Sequence, residues 1–251
     1  MSKHKAESGH WYDKDGEPRY TIIGVNGKER NTTLRDAKKE GYVPSVTSIL
    51  NIIAKPSLEN WKITQALEAS LKLDRDDIDY INKCKHAGRE VGMKAAKQGT
   101  KIHALIEKGF LGKSKNKTYK VIKDFLDNKF PNEEWIAEDS FCSDLGYGGK
   151  IDLYSKSGIF VDFKTKDNLE GKDPDRLVYD EHGMQLSAYA QGCKFKNPIR
   201  VSIFVDRANT ELIACHVWDK ETHEKHKEMF NSILKYWQLV KNYEWKKIKT
   251  N

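Results

Sequence analysis

Two carboxylates and an ammonium group fall on neighbouring extended segments of this chain. Gly149-Lys150-Ile151-Asp152-Leu153 is followed, after Ser157-Gly158, by Val161-Asp162-Phe163-Lys164. Alternation along a strand sends Ile151 and Leu153 one way and Asp152 the other. In the second segment Ile159, Val161 and Phe163 lie opposite Asp162 and Lys164. A tight turn at Ser157-Gly158 brings Asp152 and Asp162 near-opposite in a hairpin, and a turn one residue longer or shorter would change the partner. Facing carboxylates repel unless something positive sits between them. Lys164 reaches the same surface, and a divalent cation would serve equally. Hard oxygen ligands with few dedicated protein groups suit Mg²⁺ or Mn²⁺. An exposed strand face with a chance Asp, Asp and Lys grouping would read the same, although the apolar inner positions of both strands favour a sheet core.

The elements that must position these groups follow from periodicity and turn residues. Residues 1–40 are polar and turn-rich, with a short strand over 20–25 ending at Asn26-Gly27, a hairpin signal. Pro44-Ser45 opens a helical stretch with Val46, Ile49, Leu50 and Ile53 at helical spacing. Pro56-Ser57 breaks it, and Ser57 can cap a second helix through Leu71. Residues 74–111 read as helical with Asp74 as a cap; Gly88, Gly92 and Gly99 each weaken the middle by up to about 1 kcal/mol, leaving room for a break. A further helix covers 117–130 and stops before Pro131. The period then changes. Strands are predicted over 135–142, 150–154 and 159–165, with Gly146 to Gly149 as a flexible turn and 166–181 as a loop. A helix over 183–193, strands over 200–205 and 211–218, and a last helix capped by Asp219 complete the order. That helix carries Met229, Ile233, Tyr236, Trp237 and Val240 on one face, and the basic tail from Trp245 reads as frayed. The order predicts an α/β fold: a mixed sheet of about five strands flanked by helices. The polar segment 1–40 would precede a single domain over 41–251, with a helical part over 41–131 and a sheet core over 132–251.

With those elements in place, Asp152 and Asp162-Phe163-Lys164 resemble the signature of PD-(D/E)XK nucleases. Gly99-Thr100 followed by His103 resembles the histidine motif of the RecB-like exonuclease branch. Gln185-Leu186-Ser187-Ala188-Tyr189 resembles its Q-x-x-x-Y motif, and Pro44-Ser45-Val46-Thr47 resembles the N-terminal part of phage exonucleases and of the mitochondrial genome maintenance exonuclease. The resemblance covers roughly residues 42–240. It implies a restriction-endonuclease-like sheet core with a helical N-terminal extension. It further implies Asp152 and Asp162 as metal ligands, with the Phe163 carbonyl completing the site and His103 as a further ligand or phosphate contact. Lys164 would hold or activate the attacking water, Gln185 would orient Lys164, and Tyr189 would make a DNA or packing contact. The implied activity is Mg²⁺- or Mn²⁺-dependent DNA hydrolysis from a free strand end, in phage-type recombination, replication or repair. A structure-specific endonuclease and a non-catalytic DNA-binding protein are the alternatives. The relatives that carry an iron–sulfur cluster use a late cysteine group, which this chain lacks.

Other residues read more plainly. His103 borders the apolar Ile102/Ile106 stripe; Glu107 could orient it or form a helix pair. Glu138 could be another acidic ligand or a solvated strand residue. Lys94, Lys97 and Lys101 form a basic stripe that could guide phosphates or simply be a solvated face. Trp11 and Tyr12 could stack on bases, though packing is the simpler role; Trp61, Tyr236 and Trp237 read as core. The chain has 251 residues and 44 Lys plus Arg against 37 Asp plus Glu, giving +7. That moderate basic excess favours polyanion capture but also plain solubility. Twenty-six aromatic residues (nine Phe, eleven Tyr, six Trp) in a chain of mean hydropathy −0.75 argue for a folded core rather than disorder. There is no apolar run long enough to span a bilayer and no apolar leader at the start, so an intracellular, cytoplasmic protein is expected (host cytoplasm if phage-encoded). Cys84, Cys142, Cys193 and Cys215 form no C-x-x-C pair and read as reduced thiols.

Overall fold

The computed structural model describes residues 9–245; the basic tail predicted to fray lies, beyond Trp245, outside the described residues. The chain begins with β1 (Trp11–Tyr12), the hairpin β2 (Thr21–Ile23) and β3 (Glu29–Asn31), and α1 (Leu34–Glu40). The Asn26-Gly27 signal gives that hairpin, with Gly27 at φ 72° in its turn. Helix α1 was not foreseen. Thr33 caps it by accepting from the Asp36 N–H, while the Asp36 carboxylate returns a bond to the Thr33 N–H. Next come β4 (Val43–Pro44), α2 (Val46–Leu50), α3 (Pro56–Ser70), α4 (Tyr80–Phe110) and α5 (Lys117–Lys129). Strand β1 pairs with β4, and Trp11 and Tyr12 take the packing role expected of them, entering the interior together with Ala37.

Three capping expectations fail for local reasons. Asp219 accepts from the Glu221 N–H in the turn ahead of the last helix, which starts at Thr222, and so does not cap it. Pro56 occupies the first turn of α3, where its fixed φ already suits a helix, so Ser57 is no cap. Asp74 precedes a separate turn, and α4 starts after Asp79. The glycines do not divide α4, which runs unbroken for 31 residues. They are points of close approach. A Cβ on Gly88 would lie 3.2 Å from the backbone of Lys62 in α3, and one on Gly99 would lie 3.0 Å from Thr165 Oγ1.

The second half is β5 (Trp135–Ser143), β6 (Tyr147–Ser155), β7 (Ile159–Lys166), α6 (Asp180–Gly192), β8 (Ile199–Asp206), β9 (Ile213–Val217) and α7 (Thr222–Val240). The five strands form one mixed sheet in the order β5-β6-β7-β8-β9, antiparallel except for the parallel pair β7–β8. Helix α6 makes the crossover between that parallel pair. One apolar cluster joins the sheet to α6, α7 and the N-terminal segment through Trp11, Ile151, Phe160, Leu186 and Phe230. A second joins it to α4 and α5 through Ile102, Ile106, Ile122, Leu126, Leu153, Val161 and Phe163, and a small third one gathers Leu169, Leu177 and Phe204.

Three further expectations are corrected here. The stretch from Gly146 to Gly149 is not a flexible turn: Tyr147 to Gly149 belong to β6, paired with Phe141 to Ser143. A Cβ on Gly149 would come within 2.8 Å of the Tyr189 ring and 2.9 Å of the Phe141 ring, so glycine is required by packing. The buried stripe of α7 is His223, His226, Phe230, Leu234 and Trp237, rotated from the expected face, and Tyr236 is exposed. The two histidines, polar by type, disguised the stripe. Trp61, expected in the core, sits half-buried between α3 and α4, beside Gly92.

All four cysteines are free, as expected. Burial raises the Cys142 and Cys215 thiols to about 11 and Cys193 to about 12, which leaves them protonated and unreactive near neutrality. Among the described residues no helix is long and apolar enough to cross a membrane.

Candidate active site

The hairpin register sets the site. Leu153 pairs with Val161 and Tyr154 with Phe160, so continuing the ladder puts Asp152 opposite Asp162. Simple alternation, however, breaks at Asp152. Ile151 packs in the cluster under α6 and α7, whereas Leu153 packs in the cluster under α4 and α5; the two were expected on one face. The Asp152 carboxylate supplies the reason. Its Oδ2 accepts from the Phe163 N–H at 2.9 Å, a side-chain bond made where the ladder would otherwise continue. On the other side Glu138, which the β5–β6 ladder skips, holds a left-handed backbone at φ 58°. Left-handed geometry in a non-glycine strand residue is strained. The Glu138 side chain forms an ion pair with Lys150.

Asp162 and Lys164 project from the next strand toward α6. Asp162 is 2% exposed. Lys164 Nζ donates to Asp162 Oδ1 at 3.0 Å and to Gln185 Oε1 at 3.1 Å. Gln185 Nε2 in turn donates to Asp162 Oδ1 at 2.8 Å and to the Tyr189 hydroxyl at 2.9 Å. The four-residue spacing of Gln185 and Tyr189 on α6 puts both on one helix face, above β7. Tyr189 is buried, and burial together with the two carboxylates holds its phenol neutral. Asp162 Oδ2 is buried with no donor aligned on it, although the Lys164 ammonium lies 2.7 Å away and compensates its charge.

His103 comes from α4, on the other side of the sheet edge. Its Nδ1 stands 3.7 Å from Asp152 Oδ2, and its ring meets Phe163 edge-on at 6.4 Å. What lets the helix come so near is Gly99, one turn earlier, against Thr165. Lys94, Lys97 and Lys101 are exposed and none lines the site. At about 100° per residue they fall on the side of α4 away from Gly99. Glu107 is half-buried and adds to the field that keeps Lys150 charged.

Asp152, Asp162, Lys164, Gln185, Tyr189 and His103 all line one cavity of about 280 Å³. Its remaining wall was not foreseen: Lys150 from β6, Ser45 and Thr47 at the start of α2, and His10, Tyr12 and Tyr20 from the first forty residues. Lys150 lies two residues before Asp152, and Ser45 and Thr47 fall in the Pro44-Ser45-Val46-Thr47 stretch; His10, Tyr12 and Tyr20 carry no such signal and are brought there by the β1–β4 pairing and by a bridge between Ser45 and Gly148. A larger cleft, of about 750 Å³ beside Trp11, Arg35 and Trp237, contains no carboxylate.

The electrostatics follow from burial and neighbours. Burial and the Asp162 charge raise Asp152 to about 6, against the opposing pull of His103, Lys164 and the Phe163 N–H. Burial works to lower Lys164, but the charge and hydrogen bond of Asp162, with Asp152 behind, outweigh it, and the net shift is upward. Lys164 is therefore an ammonium group at neutral pH. The donor set fits a hard cation held by two carboxylates and otherwise by water and substrate oxygens, the usual arrangement for Mg²⁺. An ion reaching the buried Oδ2 of Asp162 would share it with the Lys164 ammonium 2.7 Å away. Among the described residues no three His, Cys, Asp or Glu side chains converge on one metal position, so His103 is not placed as a third ligand.

No family model matches the chain, and no curated protein does. Among solved structures, the alkaline exonuclease LHK-Exo from Laribacter hongkongensis is similar over 73% of this chain and 94% of its own, at 10% identity and a TM-score of 0.41. The crystal structure of SSO0001 is similar over 70% of this chain and 85% of its own, at 16% identity and a TM-score of 0.31. Likenesses this distant carry no weight for function, which rests on the site.

Proposed function

We propose that this protein is a metal-dependent nuclease that hydrolyses phosphodiester bonds in DNA, working from a free strand end. The observation that carries the reading is the convergence of Asp152, Asp162 and Lys164 on one open cavity, with Gln185 holding Lys164 and Asp162 in a fixed relation. The sequence resemblance described above and the basic net charge support it.

In this reading Asp152 and Asp162 hold the cation, Mg²⁺ or Mn²⁺, with the Phe163 carbonyl beside them. When bound there, the ion would acidify a water and neutralise charge on the phosphate oxygens. Lys164, as an ammonium, places positive charge against a non-bridging phosphate oxygen, where charge grows as water adds. Gln185 fixes the Lys164 side chain by accepting one of its protons in a hydrogen bond, which leaves the other two for substrate and for Asp162. His103, half-exposed at the rim, contacts a phosphate.

The test is digestion of end-labelled linear DNA and of a covalently closed circle with Mg²⁺, Mn²⁺ or EDTA. The expected result is metal-dependent loss of label from linear DNA, an intact circle, and at least a hundredfold slower cleavage by Asp162→Ala and by Lys164→Ala. Unchanged cleavage by either variant removes that residue from the mechanism, and nicking of the circle turns the reading to an endonuclease. The lack of three converging ligands favours, as a second reading, a DNA-binding protein that does not cut; DNA binding with no cleavage under any ion would establish it.

A further inference from the structure

We propose that His10 and Tyr20 form a base-stacking platform at the rim of the carboxylate cavity, which selects an unpaired nucleotide at the end of a single strand. The proposal rests on the nuclease reading for its ligand, DNA, and goes beyond it in naming the form of DNA and the residues that choose it.

The two rings stack with centroids 4.4 Å apart and planes inclined by 25°. Both line the cavity that holds Asp152, Asp162 and Lys164. His10 is exposed and Tyr20 is half-buried, so the pair is reachable from solvent, unlike Trp11 and Tyr12 between them in the chain, which are 3% and 2% exposed. The stacking role weighed for Trp11 and Tyr12 is closed to them by burial; the residues on either side are open to it.

The platform is held rigid. The Tyr20 hydroxyl is hydrogen-bonded to the Tyr12 hydroxyl at 2.7 Å, and the Tyr12 ring meets Tyr20 edge-on at 5.7 Å. The His10 carbonyl accepts from the Ser45 N–H at 2.9 Å, and the His10 N–H donates to Ser48 Oγ at 3.3 Å. Ordering cost is therefore met in the folded protein before any ligand arrives, which is what a preformed binding surface needs.

Every base has a π face, so a ring platform accepts bases regardless of sequence. Lys150 and Lys164, paired with Glu138 and Asp162, line the same cavity and add cationic groups for the phosphate of that nucleotide. The cavity, about 280 Å³, is just below the roughly 300–1,000 Å³ typical of ligand pockets, the scale of one nucleotide unit. Stacking on the platform needs a base with a free face, which an unpaired terminal base offers.

The test measures binding in EDTA, by anisotropy, of a labelled thymidine oligomer, an abasic oligomer of the same length and a blunt duplex. The wild-type protein should prefer the thymidine oligomer over the abasic one by about 5- to 150-fold, the factor one stacked base contributes. His10→Ala and Tyr20→Ala should lower the thymidine affinity to the abasic value, and Tyr20→Phe should restore it. His10 is exposed, so its variant folds even if Tyr20→Ala does not. The proposal is overturned if the wild type does not distinguish the two oligomers, if it binds the duplex as well as the single strand, or if both alanine variants keep the preference. Because the readout is binding without metal, absence of cleavage with the preference intact would sink the nuclease reading and leave this one standing.

Discussion

The carboxylate of Asp152 accepts the backbone N–H of Phe163 at 2.9 Å, so one side chain both shapes the hairpin and faces the cavity. Its two roles separate by substitution. Asp152→Asn keeps an oxygen for the Phe163 N–H and should melt within a few degrees of wild type while cleaving DNA at least a hundredfold more slowly. Asp152→Ala loses both, leaving a buried donor unmet at about 1–3 kcal/mol. Thermal melting beside an end-labelled DNA assay checks the pair; equal melting of Asn and Ala variants would refute the structural half.

Gly149→Ala should destabilise the fold by about 1–3 kcal/mol through overpacking, because its Cβ would meet the Tyr189 and Phe141 rings at 2.8 and 2.9 Å. Tyr189 is also the acceptor for Gln185, so the displaced ring should disturb the Gln185–Lys164 bond. The urea midpoint reports the first effect. Recovery of stability in Gly149→Ala combined with Phe141→Leu would tie it to ring crowding.

Arg200 is fully buried, and none of its hydrogen-bond partners is a carboxylate. Its guanidinium instead donates to Ser187 Oγ, His226 Nδ1, the Asp219 carbonyl and Thr222 Oγ1, and lies 5.8 Å from the Trp218 ring. It thereby ties β8 to α6 and α7. Arg200→Ala should cost about 3 kcal/mol or more, since several buried groups lose their partner together. Arg200→Lys should recover little, because an ammonium cannot reproduce the planar fork. Equilibrium unfolding in urea measures both.

Acid should weaken the same region. Burial, with Arg200 adding to it, lowers His223 and His226 from the ordinary 6.5. Burial lowers His182 to about 4 as well. The unfolded chain then binds protons that the folded chain refuses, so stability is fully present above about pH 6.5 and falls as the pH drops below it. Asp152, raised by burial and by the Asp162 charge, works in the opposite sense and offsets part of that loss. A protonated His226 Nδ1 can no longer accept from Arg200. His226→Asn, which keeps an acceptor without the titration, should show a smaller fall in melting temperature between pH 7.5 and pH 5, with each 1 kcal/mol moving the midpoint by about 2–4 °C. An identical fall in both proteins would refute the assignment.

The parts of the site that sequence reveals are those governed by short-range rules. Two strands and a tight turn determine that Asp152 and Asp162 face each other, and helical spacing determines that Gln185 and Tyr189 share a face. What escapes such rules depends on distant chain. The break in alternation at Asp152 needs the Phe163 amide and the left-handed Glu138 together, and neither is visible in residue type. Asp206 ends β8, and its buried carboxylate accepts the N–H groups of Leu169, Ala208 and Asn209 and so fixes two loops at once. Arg200 and the α7 histidines were hidden because a polar residue type argues for the surface unless its partners are known. The cavity wall from His10 to Thr47 is set by tertiary pairing alone.

Helix α4 has one more consequence. Its 31 residues make a strut about 46 Å long at 1.5 Å per residue. With no proline or break along it, its ends cannot tilt independently. The imidazole of His103 is therefore aimed by two fulcrums, the near one where Gly99 bears on Thr165 and a remote one about 16 Å further along, where Gly88 bears on Lys62.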